Sequence, residues 1–237
     1  MRFMAGVMVA AGIMTAPASA QDFIEFHTEN VQLLRGFDYE LGDRERTIIT
    51  LEHANRWRYG DLFVFADFTI GDDGQRSAYG EISPRLSLSR MTGQDWSFGL
   101  VRDVYLAGNV ELGDEGLDRL LYGAAVDLDL PGFTFFKLHA YHRDDPQRPG
   151  STWQVNFAWN RPFQIGDQRF LTEGFADLAG AEGFGTEHQL VVPRLLWQVP
   201  AWEHVWVGVE YQYWHNKFGV PGVTESVSQL QVKFVLP

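Results

Sequence analysis

Asp61, Phe63, Phe65 and Asp67 fall on one side of an extended chain, opposite Leu62, Val64, Ala66 and Phe68. Two aromatic faces between two carboxylates are misplaced in a hydrocarbon core. They suit a flat, polar-edged solute, whose ring stacks on phenylalanine while its hydroxyls donate to the carboxylates. Stacking of this kind contributes about 1–3 kcal/mol per base at a well-formed site. Trp206 and Trp214 are further candidates for stacking, and Glu81, Arg85 and Glu210 join Asp67 as candidates for hydroxyl contacts. The competing reading is that these charges only hydrate an enclosed polar space and pair across neighbouring strands.

Catalytic chemistry finds no such support. The histidines (His27, His53, His139, His142, His188, His204 and His215) are scattered, and neither an HExxH nor a GxSxG run occurs. His139 and His142 have metal-like spacing only on a helix, which the ProGly at 131–132 and the surrounding alternation oppose. No catalytic residue, cofactor or metal site is expected, and the chain is read as a non-enzyme.

The elements that must position these residues are strands. In EISPRLSLSR, residues 81–90, Glu81, Ser83, Arg85, Ser87 and Ser89 alternate with Ile82, Pro84, Leu86 and Leu88, the two-residue period of a strand. An interior proline confines a soluble strand to a sheet edge. In a membrane barrel the apolar row faces lipid and the charged row a watery lumen. On that reading Ile82, Leu86 and Leu88 face lipid, and Glu81, Arg85 and Ser87 face inward.

The same alternation recurs from Asn30 onward in about twelve segments. They are 30–39, 47–54, 61–68, 81–90, 96–105, 120–130, 133–142, 152–160, 169–178, 189–199, 204–214 and 229–236. Polar or glycine-containing stretches at 71–80, 109–119 and 143–150 read as loops, and Pro193 interrupts the tenth segment. Lys137 is expected near Asp127 or Asp129 across the hairpin, and Trp153 and Trp159 in opposite interface belts. The expected fold is all-β, a transmembrane antiparallel β-barrel of about 12 strands.

Composition agrees. Eight Trp, eight Tyr and eighteen Phe accompany only moderate hydrophobicity, because polar residues alternate with the aromatics. A net charge of −12 argues against a nucleic-acid surface. With no cysteine the fold must close by backbone pairing and packing. Arg2, the apolar run 4–16 and the Ala18-Ser19-Ala20 triplet have the layout of a signal peptide cleaved after Ala20, leaving 21–237 as the barrel.

The runs TLEHANRWRYGDLFVFADF at 50–68, EISPRLSLSR at 81–90, DWSFGLVRDVYLAGNVE at 95–111 and VEYQYWHNKFG at 209–219 resemble the Tsx family, the nucleoside-specific channel-forming proteins of the Gram-negative outer membrane. The likeness follows order and spacing over most of the chain after residue 20. It implies a monomeric twelve-stranded barrel in the cell outer membrane, surrounded by outer-membrane lipid. Its narrow lumen of aromatic and ionisable residues would pass nucleosides or similar small polar solutes by passive diffusion, and the barrel would be a receptor for phage or colicin. The alternatives are a structural or receptor barrel with a plugged lumen and a secreted soluble β-protein. The end of the chain departs from the aromatic residue that insertion machinery reads, with Pro237 last and Phe234 three positions earlier.

Overall fold

The computed structural model describes residues 23–114 and 116–237. The expected signal peptide at 1–20 lies outside the described residues. Twelve antiparallel strands form a closed barrel, each paired with its sequence neighbours and the first with the last. They are β1 (Ile24–Phe37), β2 (Glu45–Trp57), β3 (Gly60–Gly71), β4 (Arg76–Ser87), β5 (Val101–Gly113), β6 (Gly116–Leu128), β7 (Phe135–Asp144), β8 (Thr152–Ile165), β9 (Gln168–Ala179), β10 (His188–Gln198), β11 (Val205–His215) and β12 (Thr224–Val235). A short helix, α1 (Leu88–Thr92), follows β4, and a single 3-10 turn occupies Lys217–Gly219. No helix among the described residues is long and apolar enough to cross a membrane, which says nothing of strands.

Burial runs inside out. On β12 Gln229 and Gln231 are 1% and 2% exposed, while Leu230 between them is 64% exposed. A water-soluble sheet would reverse those values, because burying apolar surface is what drives its folding. Here the exposed rows, such as Leu33, Leu51, Leu106, Tyr122 and Leu195, form one outward apolar band, and the inward rows carry the amides and charges. Closure leaves no unpaired sheet edge within a lipid phase that cannot hydrogen-bond to one.

The sequence misplaced several boundaries. β4 ends at Ser87, so Leu88 begins α1 instead of extending the lipid-facing row. Ser87 caps this helix by accepting from the Arg90 N–H at 3.0 Å, and Asp103 accepts from the hydroxyls of Ser87 at 2.5 Å and Ser89 at 2.7 Å. These bonds end the strand locally. Trp96, Phe98 and Leu100 therefore sit in a connection, and β5 begins only at Val101. Most of stretch 109–119 is strand: β5 runs to Gly113 and β6 starts at Gly116, with Glu111 opposite Arg119. Likewise β4 starts at Arg76, inside the expected 71–80 loop. Pro193 does not end β10, which stays paired with β9 through Pro193 and Gly174, but the ladder with β11 skips Val192 and Pro193, as expected of a residue without an N–H. Trp153 lies at one end of β8 as expected, but Trp159 is mid-strand, opposite Gly174.

With an even strand count, β1 begins and β12 ends at the same rim, called here the terminal end. The far end carries connections 38–44, 72–75, 145–151, 180–187 and 216–223.

Candidate functional site

Each predicted site residue lies on an inward row, and register decides which ones meet. Phe63 and Phe65 on β3 stand with ring centroids 6.0 Å apart, and Tyr79 on β4 extends the run, 5.9 Å from Phe65. Glu81 is the cross-strand partner of Phe65. It accepts from Tyr79 Oη at 2.8 Å and Asn109 Nδ2 at 2.7 Å, both neutral donors. Asp67 accepts from Thr50 Oγ1 at 2.5 Å. Neither carboxylate has an ion-pair partner among the described residues, and neither does Asp177, which faces inward on β9. A half-buried aromatic row flanked by uncompensated carboxylates therefore lines one side of the lumen.

Asp61, expected to flank the phenylalanines as a free acceptor, is instead consumed by Arg85. The guanidinium donates Nε to Oδ1 at 2.8 Å and Nη2 to Oδ2 at 2.5 Å, and reaches Asp127 Oδ1 with Nη1 at 2.7 Å. It stacks on Tyr105 at 4.0 Å. Lys137 Nζ is 3.8 Å from Asp61 and is register-paired with Asp127, near the position expected; Asp129 is outside the group, bound by Arg102. Arg85 is 2% exposed, so its donors are already engaged.

Glu210 belongs to a second network that crosses the lumen. Arg194 on β10 donates Nε to Glu210 at 2.5 Å and Nη1 to Glu52 on β2 at 3.1 Å, and lies 3.8 Å from Glu173 on β9. Lys233 on β12 donates to Glu173 at 2.6 Å and stands 3.8 Å from Glu52. β2 and β10 are not neighbours in the barrel, so this pairing is a strut between separate walls. Around it Gln32, Gln229 and Gln231 interlock, with Gln231 Nε2 donating to Gln32 at 2.5 Å and Gln229 Nε2 to Glu210 at 2.7 Å. Those glutamines are fully buried, so the strut fills the side of the lumen built from β10 to β2.

Trp206 and Trp214 are not brought together. Trp206 lies at the terminal end, lining an open hollow of about 480 Å³ with Phe163, Arg169, Phe170 and Gln198. Trp214 lies at the far end, one residue before the end of β11. Sequence reasoning missed Glu52, Glu173, Arg194 and Lys233 as a group. Each sits on the wet phase of its segment, but no local signal couples strands 142 positions apart.

The family of nucleoside-specific channel-forming proteins, Tsx, matches residues 25–233, almost the whole described barrel. The chain belongs to this family. Two curated relatives of the Tsx-family barrel are named outer membrane protein OmpK. One from Vibrio parahaemolyticus is 26% identical over 124 residues, covering 48% of this chain and 47% of the relative. Another from V. parahaemolyticus serotype O3:K6 is 24% identical over 173 residues, covering 63% and 64%. The chain thus spans about half to two thirds of the length of these relatives. Among solved structures, the NanC porin superposes with a TM-score of 0.56 at 10% identity, and the KdgM porin with 0.51 at 7%. Each covers 86% of this chain and 98% of its own. At such identity the likeness concerns the fold, a closed porin-type barrel. The outward apolar band and these relatives together locate this Tsx-family barrel in the outer membrane.

Proposed function

We propose that this barrel is a channel for passive diffusion of nucleosides or similar small, flat, polar solutes. The observation that carries the reading is the row Phe63, Phe65 and Tyr79 flanked by Asp67 and Glu81 without cationic partners. A base stacks on such rings, and ribose hydroxyls donate to carboxylates that no arginine has claimed. The inward charges around Arg85 and Arg194 are tied into networks and leave this row, together with Asp177, as the available surface. KdgM has been solved with oligogalacturonate, a polyanion. The available row here holds rings and carboxyl groups and no cation to meet such a ligand, which favours neutral solutes.

Phe63→Ala/Phe65→Ala tests the reading. In proteoliposomes, nucleoside entry at micromolar concentration should fall more than entry at millimolar concentration, while a similarly sized sugar is unaffected or faster. A site matters most when solute is scarce. If nucleoside and sugar rise together at both concentrations, the row only narrows a general pore. The strut of Arg194 favours a second reading, a plugged barrel with a structural or receptor role, which complete absence of swelling with nucleosides, sugars and amino acids would establish. A monomeric state and exposure of the far-end loops to phage or colicin belong to the same proposal.

A further inference from the structure

At the far end three connections hold one another. Arg148 Nη2 donates to the Phe218 carbonyl at 2.9 Å, the Thr186 N–H to the Gly219 carbonyl at 2.9 Å, and Asn216 Nδ2 to the Glu187 carbonyl at 3.0 Å. Connection 216–223 turns inward at Lys217, which is only 2% exposed although it lies outside every strand. Its ammonium is 2.5 Å from Glu225 Oε1, a carboxylate with no exposed surface. It also lies 5.2 Å from the ring centroid of Trp214, 5.2 Å from Phe218 and 5.9 Å from Tyr39. Three ring faces and one carboxylate around an ammonium are the elements by which proteins recognise organic cations.

The walls of this cage stand without the lysine. Tyr39 Oη donates to Gln229 at 2.6 Å, the Glu40 N–H donates to Glu225 Oε2 at 3.0 Å, and Gln212 donates to Glu225 Oε1. Trp214 Nε1 faces His188 at 3.4 Å. Tyr39, Trp214 and Glu225 are thus set by strand register and by their own bonds. The segment bearing Lys217 is not so placed by local preference. Phe218 has a φ of 58°, a left-handed conformation unfavourable for a bulky residue, while Asn216 at 48° is of a type that tolerates it. Its own turn bonds, the bonds to Arg148 and connection 180–187, and the cage around Lys217 together hold this connection in place.

We infer that Tyr39, Trp214 and Glu225 form a recognition site for a small organic ammonium ion, and that Lys217 is its tethered resident. A solute carrying a primary ammonium group exchanges with Lys217, and the exchange releases connection 216–223 from the far mouth.

The test uses the full chain in planar bilayers. Lys217→Ala should show more frequent and longer openings than the parent. In the parent, millimolar n-propylammonium chloride should raise the open frequency saturably towards the Lys217→Ala level, whereas n-propanol or equimolar sodium chloride should not, and Lys217→Ala itself should show no further change. In Glu225→Gln, which keeps Lys217 but loses the carboxylate, the ammonium effect should disappear. Unchanged gating in Lys217→Ala, no response to n-propylammonium, or a response that survives Glu225→Gln overturns the inference. Should Lys217→Ala fail to insert, amine acylation of detergent-solubilised barrel read by peptide mass spectrometry decides. Lys217 in Glu225→Gln should react at least tenfold faster than in the parent, with Lys137 and Lys233 unchanged, and equal rates refute the cage.

Discussion

Replacing Arg194 by methionine removes the centre of the lumen strut while keeping most of its hydrocarbon stem. Its contacts with Glu210, Glu52 and Glu173, at 2.5, 3.1 and 3.8 Å, each represent about 4–7 kcal/mol of gross attraction at an effective dielectric of about 20. Desolvation of the guanidinium and repulsion among the three carboxylates offset most of that. The net loss is about 3–5 kcal/mol, the usual cost of leaving buried charge uncompensated, because Lys233 alone then faces Glu52 and Glu173. Urea unfolding followed by heat-modifiable gel mobility measures this loss, and single-channel recording should show a larger conductance as the strut opens. Arg194→Met/Glu210→Met removes one charge of each sign and should recover at least half of the stability while keeping the larger conductance. If Arg194→Met costs under about 1 kcal/mol and leaves conductance unchanged, the strut neither bridges the walls nor narrows the lumen.

Other outcomes follow from the assigned faces. Ile82→Arg, outward in mid-β4, should destabilise the barrel by about 2–4 kcal/mol, while Leu86→Arg, one residue from the strand end, should cost about 0–1 kcal/mol, and inward Ser83→Arg should fold normally but lower conductance; equal tolerance at all three sites refutes the faces. A Cβ at Gly208 would meet the Leu195 carbonyl oxygen at 2.0 Å, whereas at Gly108 the nearest atom is 3.8 Å away. Gly208→Ala should therefore cost about 1–3 kcal/mol in urea unfolding, with Gly108→Ala near neutral. Asp103→Ala removes the acceptor that ties Ser87 and Ser89 to β5, so limited proteolysis should cut within 88–100 faster than in the parent, with the barrel intact.

The two-residue period alone assigned most faces, because a pleated strand sends alternate side chains to opposite sides regardless of what surrounds it. That is why the inward row of Asp61 to Asp67, the outward row of Ile82 and Leu86, and the number of strands were all legible in the sequence. Where the period stopped informing, tertiary pairing decided. Glu111 and Arg119 looked like part of an acidic loop, yet they face one another across the β5–β6 ladder. Leu88 continued the pattern of β4, but Ser87 capping a helix and Asp103 holding Ser87 and Ser89 stopped the strand. The largest part left to the folded barrel is charge partnership. Asp61 and Asp67 are alike in sequence context, but one is held by Arg85 and the other accepts only from Thr50. Whether a lumen carboxylate is free depends on which side chain faces it across the barrel. That is set by strand stagger and closure between walls distant in the chain, as in the strut from Arg194 to Glu52.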